Sequence, residues 1–218
     1  MLHSFPTRRS SDLRREQLKK LWDRYSIYLI AFAVLIVAGM AAWRGYEYWV
    51  AKKAAAAGAE FEAAIALNEE GKRAAAEAAF AKVASEAPAG YRVLARMRAA
   101  GALAQSKPAD AVKAYDEISA DASLGTIWQD LAAVRAGLLV VDTAPLADMR
   151  RRLDPVAEPM RSFRHTAREL LALSAWRNHD VAAARKYIDM IAGDAESPIG
   201  VRARADVLSA LITADGKS

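Results

Sequence analysis

Three stretches of the chain share one pattern: AEAAFAKV at residues 76–83, AVKAYDEI at 111–118 and AARKYIDM at 183–190. Each begins with alanine, has an aromatic residue four positions later and ends on a valine, isoleucine or methionine three positions after that. On a helix these three positions share one face, because residues three and four apart are neighbours. A small residue one turn before an aromatic ring lets two helices approach closely and interlock, so the pattern predicts paired helices.

The spacing of these stretches indicates a repeat. The second begins 35 residues after the first, and the third begins 72 residues after the second. Half of 72 predicts a further unit near Ala147, within a helical stretch that lacks the aromatic residue. Paired helices with a period of about 34–36 residues are typical of the tetratricopeptide class. Such units bury their apolar faces only against neighbouring units.

The rest of the chain after residue 49 shows no strand pattern, and alanine, the best helix former, is frequent. We predict a first set of helices at residues 47–70, 91–105, 126–140, 161–178 and 199–213. A second set lies between them at residues 73–85, 109–118, 145–153 and 181–191. Gly71 is expected to end a helix, Asp110 and Asp180 to cap the helices they precede, and Pro198 to lie in a first helical turn.

An uncharged run of nineteen residues, at positions 25–43, precedes the repeats. As a helix it would measure about 28 Å, close to the roughly 30 Å hydrocarbon core of a bilayer. It shows none of the polar stripe expected of a core helix in a soluble protein. Aromatic side chains flank it on both sides, as at the two interfaces of a membrane. These flanking residues are Trp22, Tyr25 and Tyr28 on one side and Trp43, Tyr46, Tyr48 and Trp49 on the other.

The basic residues around this run predict its orientation. Five precede it and three follow it, which favours a cytoplasmic N-terminus with residues 44–218 on the other side of the membrane. The five are Arg14, Arg15, Lys19, Lys20 and Arg24, and the three are Arg44, Lys52 and Lys53. A cleavable signal peptide is the alternative, because Gly39-Met40-Ala41 fits a cleavage site.

The first residues and the distribution of charge set two further expectations. Residues 3–13 read HSFPTRRSSDL and resemble a translated sequencing-library adapter. We therefore expect residues 1–13 to be an artefact and residues 14–24 to be a basic cytoplasmic stub.

The net charge is +4 over residues 1–51 but only +1 over residues 52–218. A nucleic-acid-binding domain would have its positive charge on the folded module, so this class is excluded.

The layout resembles a known family. A basic stub and one membrane helix ending in AAWRGYEYW (residues 41–49) are followed by AGAEFEAAIALNEEGKRAAAEAAFAKVASEAPAGYRVLARMRAAGALAQ (residues 57–105). Over residues 14–213 this is similar to tetratricopeptide-like proteins of the YfgM type, ancillary subunits of the bacterial Sec translocon. The resemblance implies a single-pass inner-membrane protein whose periplasmic helical domain binds the translocon and periplasmic chaperones. The early Trp and Gly of the canonical repeat are not at their usual spacing.

No pattern of catalytic chemistry was found in the chain. His165 and Glu169 are four residues apart on a predicted helix, but the His-Glu-x-x-His pattern of zinc proteases is missing. The sequence contains neither a Gly-rich phosphate loop nor a Gly-x-Ser-x-Gly nucleophile elbow, and it has no cysteine to hold a metal. We therefore predict a protein that is not an enzyme, with no cofactor, no metal site and no small-molecule substrate.

Five residues are candidates for contact with a protein partner. Trp128 and Trp176 are candidates because aromatic residues are enriched at binding hot spots, although such residues more often pack between repeats. Arg150, Arg151 and Arg152 could meet anionic lipid or an acidic partner, or form a solvated charged face. The sequence thus predicts a membrane-anchored binding module, and the resemblance implies that it acts at the translocon. A scaffold for envelope or cell-division assembly with the same fold is the alternative.

Overall fold

The computed structural model describes the backbone of residues 9–215 and the side chains of residues 22 and 24–214. Over these residues the chain is helical and has no strand, which confirms the predicted all-α class. The chain divides into two compact units, Met1–Lys53 and Ala54–Ser218. Residues 1–8 of the adapter-like segment, and the side chains of the basic stub before Trp22, lie outside the described residues.

Nine α-helices and one 3-10 turn are present in the described part of the chain. They are α1 (Arg9–Glu69), α2 (Arg73–Glu86), α3 (Ala89–Leu103), α4 (Pro108–Ala120), α5 (Thr126–Val140), α6 (Leu146–Leu153), the 3-10 turn Asp154–Val156, α7 (Arg164–Arg177), α8 (Val181–Ala192) and α9 (Ile199–Asp215). Eight of the nine helices agree with the predicted bounds to within a few residues. The first begins much earlier than residue 47, because α1 includes the apolar run.

In the first unit, the apolar part of α1 is exposed on every face from residue 27 to residue 50. The helix segment Arg24–Glu69 is long and apolar enough to cross a membrane, and none of its most apolar window is buried. A core helix of a soluble protein would bury that window against other elements. The apolar run is therefore a candidate membrane span.

The helix ends follow from residues with special backbone or side-chain properties. Gly71 ends α1 in the left-handed region, at φ 76°, and allows the Lys72 amide to donate to the Leu67 carbonyl at 2.9 Å. Asp180 caps α8 as predicted, because its carboxylate accepts the Ala183 amide at 2.9 Å. The prediction that Asp110 caps α4 is wrong: α4 begins at Pro108, which places Asp110 inside the first turn.

The repeat pattern describes the buried face of the second-set helices. Eight of the nine patterned residues in α2, α4 and α8 are buried, and the ninth, Met190, is partly buried. The third unit is shifted from its predicted place, because Ala147 is exposed. Its buried positions are Met149, Leu153 and Val156, which have the same spacing with Leu153 in place of the aromatic ring.

In the second unit the helices pack in the order of the chain. From α2 to α9 each helix contacts the next, and α5, α7 and α9 also contact one another in sequence. Three separate apolar clusters result. The first joins α2 and α3 to the end of α1 around Phe61 and Phe80, and the second joins α3, α4 and α5 around Tyr115. The third extends from α5 to α9 around Leu171. Serial clusters of this kind are expected of a stacked-repeat fold.

Candidate partner-binding groove

A concave surface of about 430 Å³ lies on the side of the second unit formed by the end of α1, α3 and α5. We call it the groove. These three helices are the first members of successive helical pairs. Two side chains from second-set helices, Phe80 and Tyr115, complete its lining. The repeat spacing thus places equivalent faces of successive first-set helices side by side.

We call the apolar part of the lining the floor of the groove. It includes Leu94 and Met97 of α3 and Trp128 and Leu131 of α5, all partly buried. Leu94 and Met97 also pack against core clusters, whereas Trp128 and Leu131 belong to none of the three clusters of the described chain. The exposed parts of Trp128 and Leu131 are therefore available for contact with another molecule.

Tyr115 reaches the groove from α4, between turns of α3. Its hydroxyl group donates a long hydrogen bond of 3.5 Å to the Met97 carbonyl. A methyl group at Gly101 would lie 3.3 Å from that hydroxyl, so a glycine lets the phenol approach α3 closely. Burial raises the pKa of Tyr115, and this outweighs the opposite effects of Arg135 and Arg98. The phenol is thus uncharged at neutral pH.

The rim of the groove is charged. Arg98 of α3 and Arg135 of α5 are exposed and line it together with Glu69, the last residue of α1. Both arginines act to lower the pKa of the Tyr115 phenol, against the larger effect of burial, as expected of positive charges near the same group. The arrangement combines an apolar floor with a rim that carries a net positive charge.

Of the two tryptophans predicted to bind a partner, only Trp128 lines the groove. Trp176 is partly buried and packs against the C-terminal apolar cluster, so the structure gives it a packing role. For Trp128 the binding role stays a prediction, now with a defined surface around it.

The three consecutive arginines of α6 have three different environments. Arg152 is nearly buried, with 14% of its side chain exposed, and donates two hydrogen bonds to Asp116 at 2.8 and 2.7 Å. The Asp116 carboxylate raises the pKa of Arg152. Arg150 lies 3.9 Å from Asp180, and the hydroxyl of Tyr187 raises its pKa. Arg151 is the most exposed and pairs with Asp148 at 2.9 Å.

His165 and Glu169 do not come together. Glu169 binds Arg204, whereas the buried His165 ring places Nδ1 at 3.0 Å from the Ser197 hydroxyl oxygen. That hydroxyl donates its only proton to the Ile191 carbonyl at 2.8 Å, so it accepts a hydrogen bond from the His165 Nδ1–H and is not activated as a nucleophile. Burial lowers the pKa of His165, followed in importance by Arg164. The histidine is a buried, neutral member of a structural hydrogen-bond chain.

The stacked hairpins and the groove on their first-set face define a helical-repeat solenoid, an architecture used to present extended binding surfaces. A family model described as a tetratricopeptide repeat-like domain matches residues 19–170, and the chain belongs to this family. The fold is typically a non-catalytic scaffold that binds proteins. No curated protein and no solved structure matches the chain.

The sequence prediction missed Arg98 and Arg135 as groove residues. A signal for both was present, because Leu94-x3-Arg98 recurs as Leu131-x3-Arg135, 37 residues later. This second pattern belongs to the first-set helices, whereas the alanine–aromatic pattern belongs to the second set. The alanine–aromatic pattern describes the face of a helix that packs in the core. The Leu-x3-Arg pattern describes the face that lines the groove, and it was not used in the prediction.

Proposed function

We propose that this protein binds other proteins through the groove and holds that groove close to a membrane. The observation that carries the proposal is the position of Trp128 and Leu131, apolar side chains that line a concave surface and serve no core cluster. Membership in a family of protein-binding scaffolds supports the same conclusion. Aromatic anchors at the centre of a concave patch are the usual hot spots of such interfaces.

The membrane anchor in this proposal is the apolar run at residues 25–43, retained as a single transmembrane helix. The basic stub, residues 14–24, lies in the cytoplasm, and residues 44–218 lie in the periplasm of a bacterial cell. In the same proposal, residues 1–13 derive from a sequencing-library adapter. Anchoring raises the concentration of the groove near other membrane-bound partners, so weak contacts suffice. Protease added to spheroplasts is expected to digest the repeat domain, whereas a soluble product trimmed near Ala41 would contradict the anchor.

The partner we propose is the Sec translocon, with periplasmic chaperones and emerging proteins as further contacts. Support comes from the order of basic stub, membrane helix ending in AAWRGYEYW and helical repeats, which is similar to the YfgM-type subunits. A groove at the exit side of the translocon would meet unfolded segments while their apolar side chains are still exposed. This would delay aggregation until a chaperone or folding buries them.

Co-purification from detergent-solubilised membranes tests this proposal. The full chain is compared with a groove variant, Trp128→Glu combined with Leu131→Glu, and with Leu138→Glu as control. Leu138 lies on the same helix, is 47% exposed and does not line the groove. We expect translocon subunits to be recovered with the wild type and the control, and to be reduced more than tenfold with the groove variant, since a hot-spot loss of about 2 kcal/mol is roughly thirtyfold in affinity.

Two results would contradict the proposal in different ways. Recovery of wall-synthesis proteins instead of translocon subunits would identify an envelope or division scaffold. Equal recovery of translocon subunits by all three proteins would show that the partner docks elsewhere. Circular dichroism of each variant checks that the helices remain folded.

A further inference from the structure

Most arginines of the second unit are already occupied. Of the fifteen arginines in residues 54–218, eleven contact a carboxylate, an amide oxygen or a backbone carbonyl in the described structure. Several of these contacts join neighbouring repeats, such as Arg152 with Asp116 and Arg204 with Glu169. Pairing is therefore the rule for a guanidinium group in this domain.

Four arginines are exposed and have no such contact with any described residue: Arg92, Arg98, Arg135 and Arg185. Two of the four, Arg98 and Arg135, line the groove. They occupy equivalent positions on successive first-set helices, four residues after Leu94 and Leu131. The coincidence of unpaired guanidinium groups with an apolar floor, repeated on two helices, indicates a ligand that supplies both apolar and anionic groups.

We propose that the groove binds a protein segment in which apolar side chains are flanked by glutamate or aspartate, whose carboxylates pair with Arg98 and Arg135. The inference rests on the proposed function and names the chemistry of its partner. Arginine forms bidentate hydrogen bonds with carboxylates, and here no existing ion pair has to break first. Apolar side chains of the segment would cover Trp128 and Leu131 and exclude water from these contacts.

Side-chain carboxylates fit this surface better than a chain terminus. Two guanidinium groups stand on two successive helices, and an internal segment can present two carboxylates with apolar residues between them, whereas a C-terminus offers one. Among the described lining residues Glu69 is the only carboxylate, and together with Arg98 and Arg135 it gives a net charge of +1. Acidic ligands are therefore attracted, and basic ones are repelled.

Fluorescence anisotropy with labelled peptides tests the proposal on the full chain in nanodiscs of phosphatidylcholine. Four peptides share one apolar backbone of leucine, phenylalanine and alanine. The first has two internal glutamates and an amidated C-terminus; the second and third replace the glutamates with glutamine or lysine. The fourth has glutamines and a free C-terminal carboxylate. We expect the glutamate peptide to bind about tenfold more tightly than the glutamine peptide, the effect of two partly desolvated charged hydrogen bonds.

The variant Arg98→Gln combined with Arg135→Gln is expected to reduce that preference to about twofold or less while leaving the affinity for the glutamine peptide unchanged. The control is Arg92→Gln combined with Arg185→Gln, which removes two equally unpaired and exposed arginines outside the groove. It should keep the full preference. The charge-reversed variant Arg98→Glu with Arg135→Glu should bind the lysine peptide best.

Equal affinities for the glutamate and glutamine peptides would overturn the inference, and so would a preference that survives loss of Arg98 and Arg135 or disappears in the control. Tightest binding of the free-carboxylate peptide would overturn the choice of internal carboxylates. None of these outcomes affects the groove itself, because Trp128→Glu with Leu131→Glu should still abolish binding of the glutamate and glutamine peptides. Failure of that variant to reduce binding would instead contradict the proposed function.

Discussion

The two halves of the repeat domain are built differently. In the C-terminal half, α6 to α9 and the adjoining end of α5 share one cluster of twenty buried apolar residues. The N-terminal half, from the end of α1 to α5, has two clusters of six and five. The C-terminal half also contains an ion-pair cluster, in which the Asp194 carboxylate binds both Arg164 and Arg168 at 2.8 Å. The half with the smaller cores is the half that contains the groove.

This difference suggests a division of roles between packing and binding. The C-terminal half uses most of its apolar side chains, and all of its described arginines except Arg185, in internal contacts, and we expect this to stabilise it. Its neighbour leaves Trp128 and Leu131 outside the core clusters and Arg98 and Arg135 without an ion pair to any described residue, which keeps a surface free for another protein. In a repeat fold the two halves can differ in stability, because each unit depends mainly on its neighbours.

The largest effect is expected from a cavity in the C-terminal cluster. Leu171 is fully buried, and Leu171→Ala should lower the free energy of unfolding of α6 to α9 by about 3 kcal/mol. Hydrogen exchange read by mass spectrometry should show faster exchange in α6 to α9 and little change in α2 and α3. The control, Leu173→Ala on the same helix, removes a side chain that is 36% exposed and should cost under about 1 kcal/mol. A uniform loss of protection would show that the halves unfold together.

The two tryptophans should differ in the same experiment. Trp176→Ala removes a ring packed on the C-terminal cluster and should cost about 2 kcal/mol. Trp128→Ala removes a ring that belongs to no cluster of the described chain and should cost under about 1 kcal/mol while weakening partner binding. Denaturant titration of both variants measures the difference. A larger loss for Trp128 would mean that this ring supports the fold and is not kept for a partner.

The arginine run of α6 offers a finer comparison. Arg152→Ala should lower the free energy of unfolding by about 1.5 kcal/mol, because it leaves Asp116, its bidentate partner on the neighbouring repeat, unpaired. Arg151→Ala should stay within about 0.5 kcal/mol, since its pair with Asp148 is exposed. A double-mutant cycle between Arg152 and Asp116 would isolate the pair, and a coupling near zero would contradict its structural role.

Two turns at equivalent places in the two halves should respond in opposite ways to substitution. The free energy of unfolding should change by about 1 kcal/mol or less in each case. Gly71 and His179 both have positive φ, 76° and 61°, and each is followed by an amide that donates to a carbonyl of the preceding helix at 2.9 Å. Gly71→Ala should destabilise the α1–α2 turn by about 1 kcal/mol, and His179→Gly should stabilise the α7–α8 turn by about 0.5–1 kcal/mol. Gly90→Ala, in open space within α3, is the control and should not destabilise the protein. Thermal unfolding measures all three.

A smaller effect is expected from pH, and only in the C-terminal half. The pKa of His165 is lowered in the fold from its ordinary value of 6.5, so below pH 6.5 the unfolded chain takes up a proton that the folded chain does not. Stability of α7 to α9 should therefore fall as the pH decreases from 7 to 5, and His165→Gln should flatten that slope. Hydrogen exchange at several pH values tests this. An equal slope in α2 and α3 would point to other groups.

The sequence predicted the helices and the second-set cores because both depend on local spacing. Ala76, Phe80 and Val83 are buried as the pattern required. The third unit was placed two residues too early, because Met149 and Leu153 fill the same space with shapes that an alanine–aromatic search does not detect. The capping role predicted for Asp110 is wrong because its helix begins two residues earlier, at Pro108.

The groove was harder to predict than the core. Whether Arg98 or Arg152 finds a carboxylate depends on which helices become neighbours, and that is a property of the tertiary structure. The continuity of α1 was also not predicted, because Gly45, which separates the apolar run from the predicted first repeat helix, lies inside one unbroken helix.

Photo-crosslinking in intact cells tests the central claim most directly. A benzophenone amino acid replaces either Trp128 in the groove or Leu138, an exposed residue on the same helix outside the groove. The account predicts crosslinks to a membrane-associated protein partner from position 128 and none from position 138. Crosslinks of equal yield from both positions, or from position 138 alone, would contradict the assignment of the groove as the docking surface.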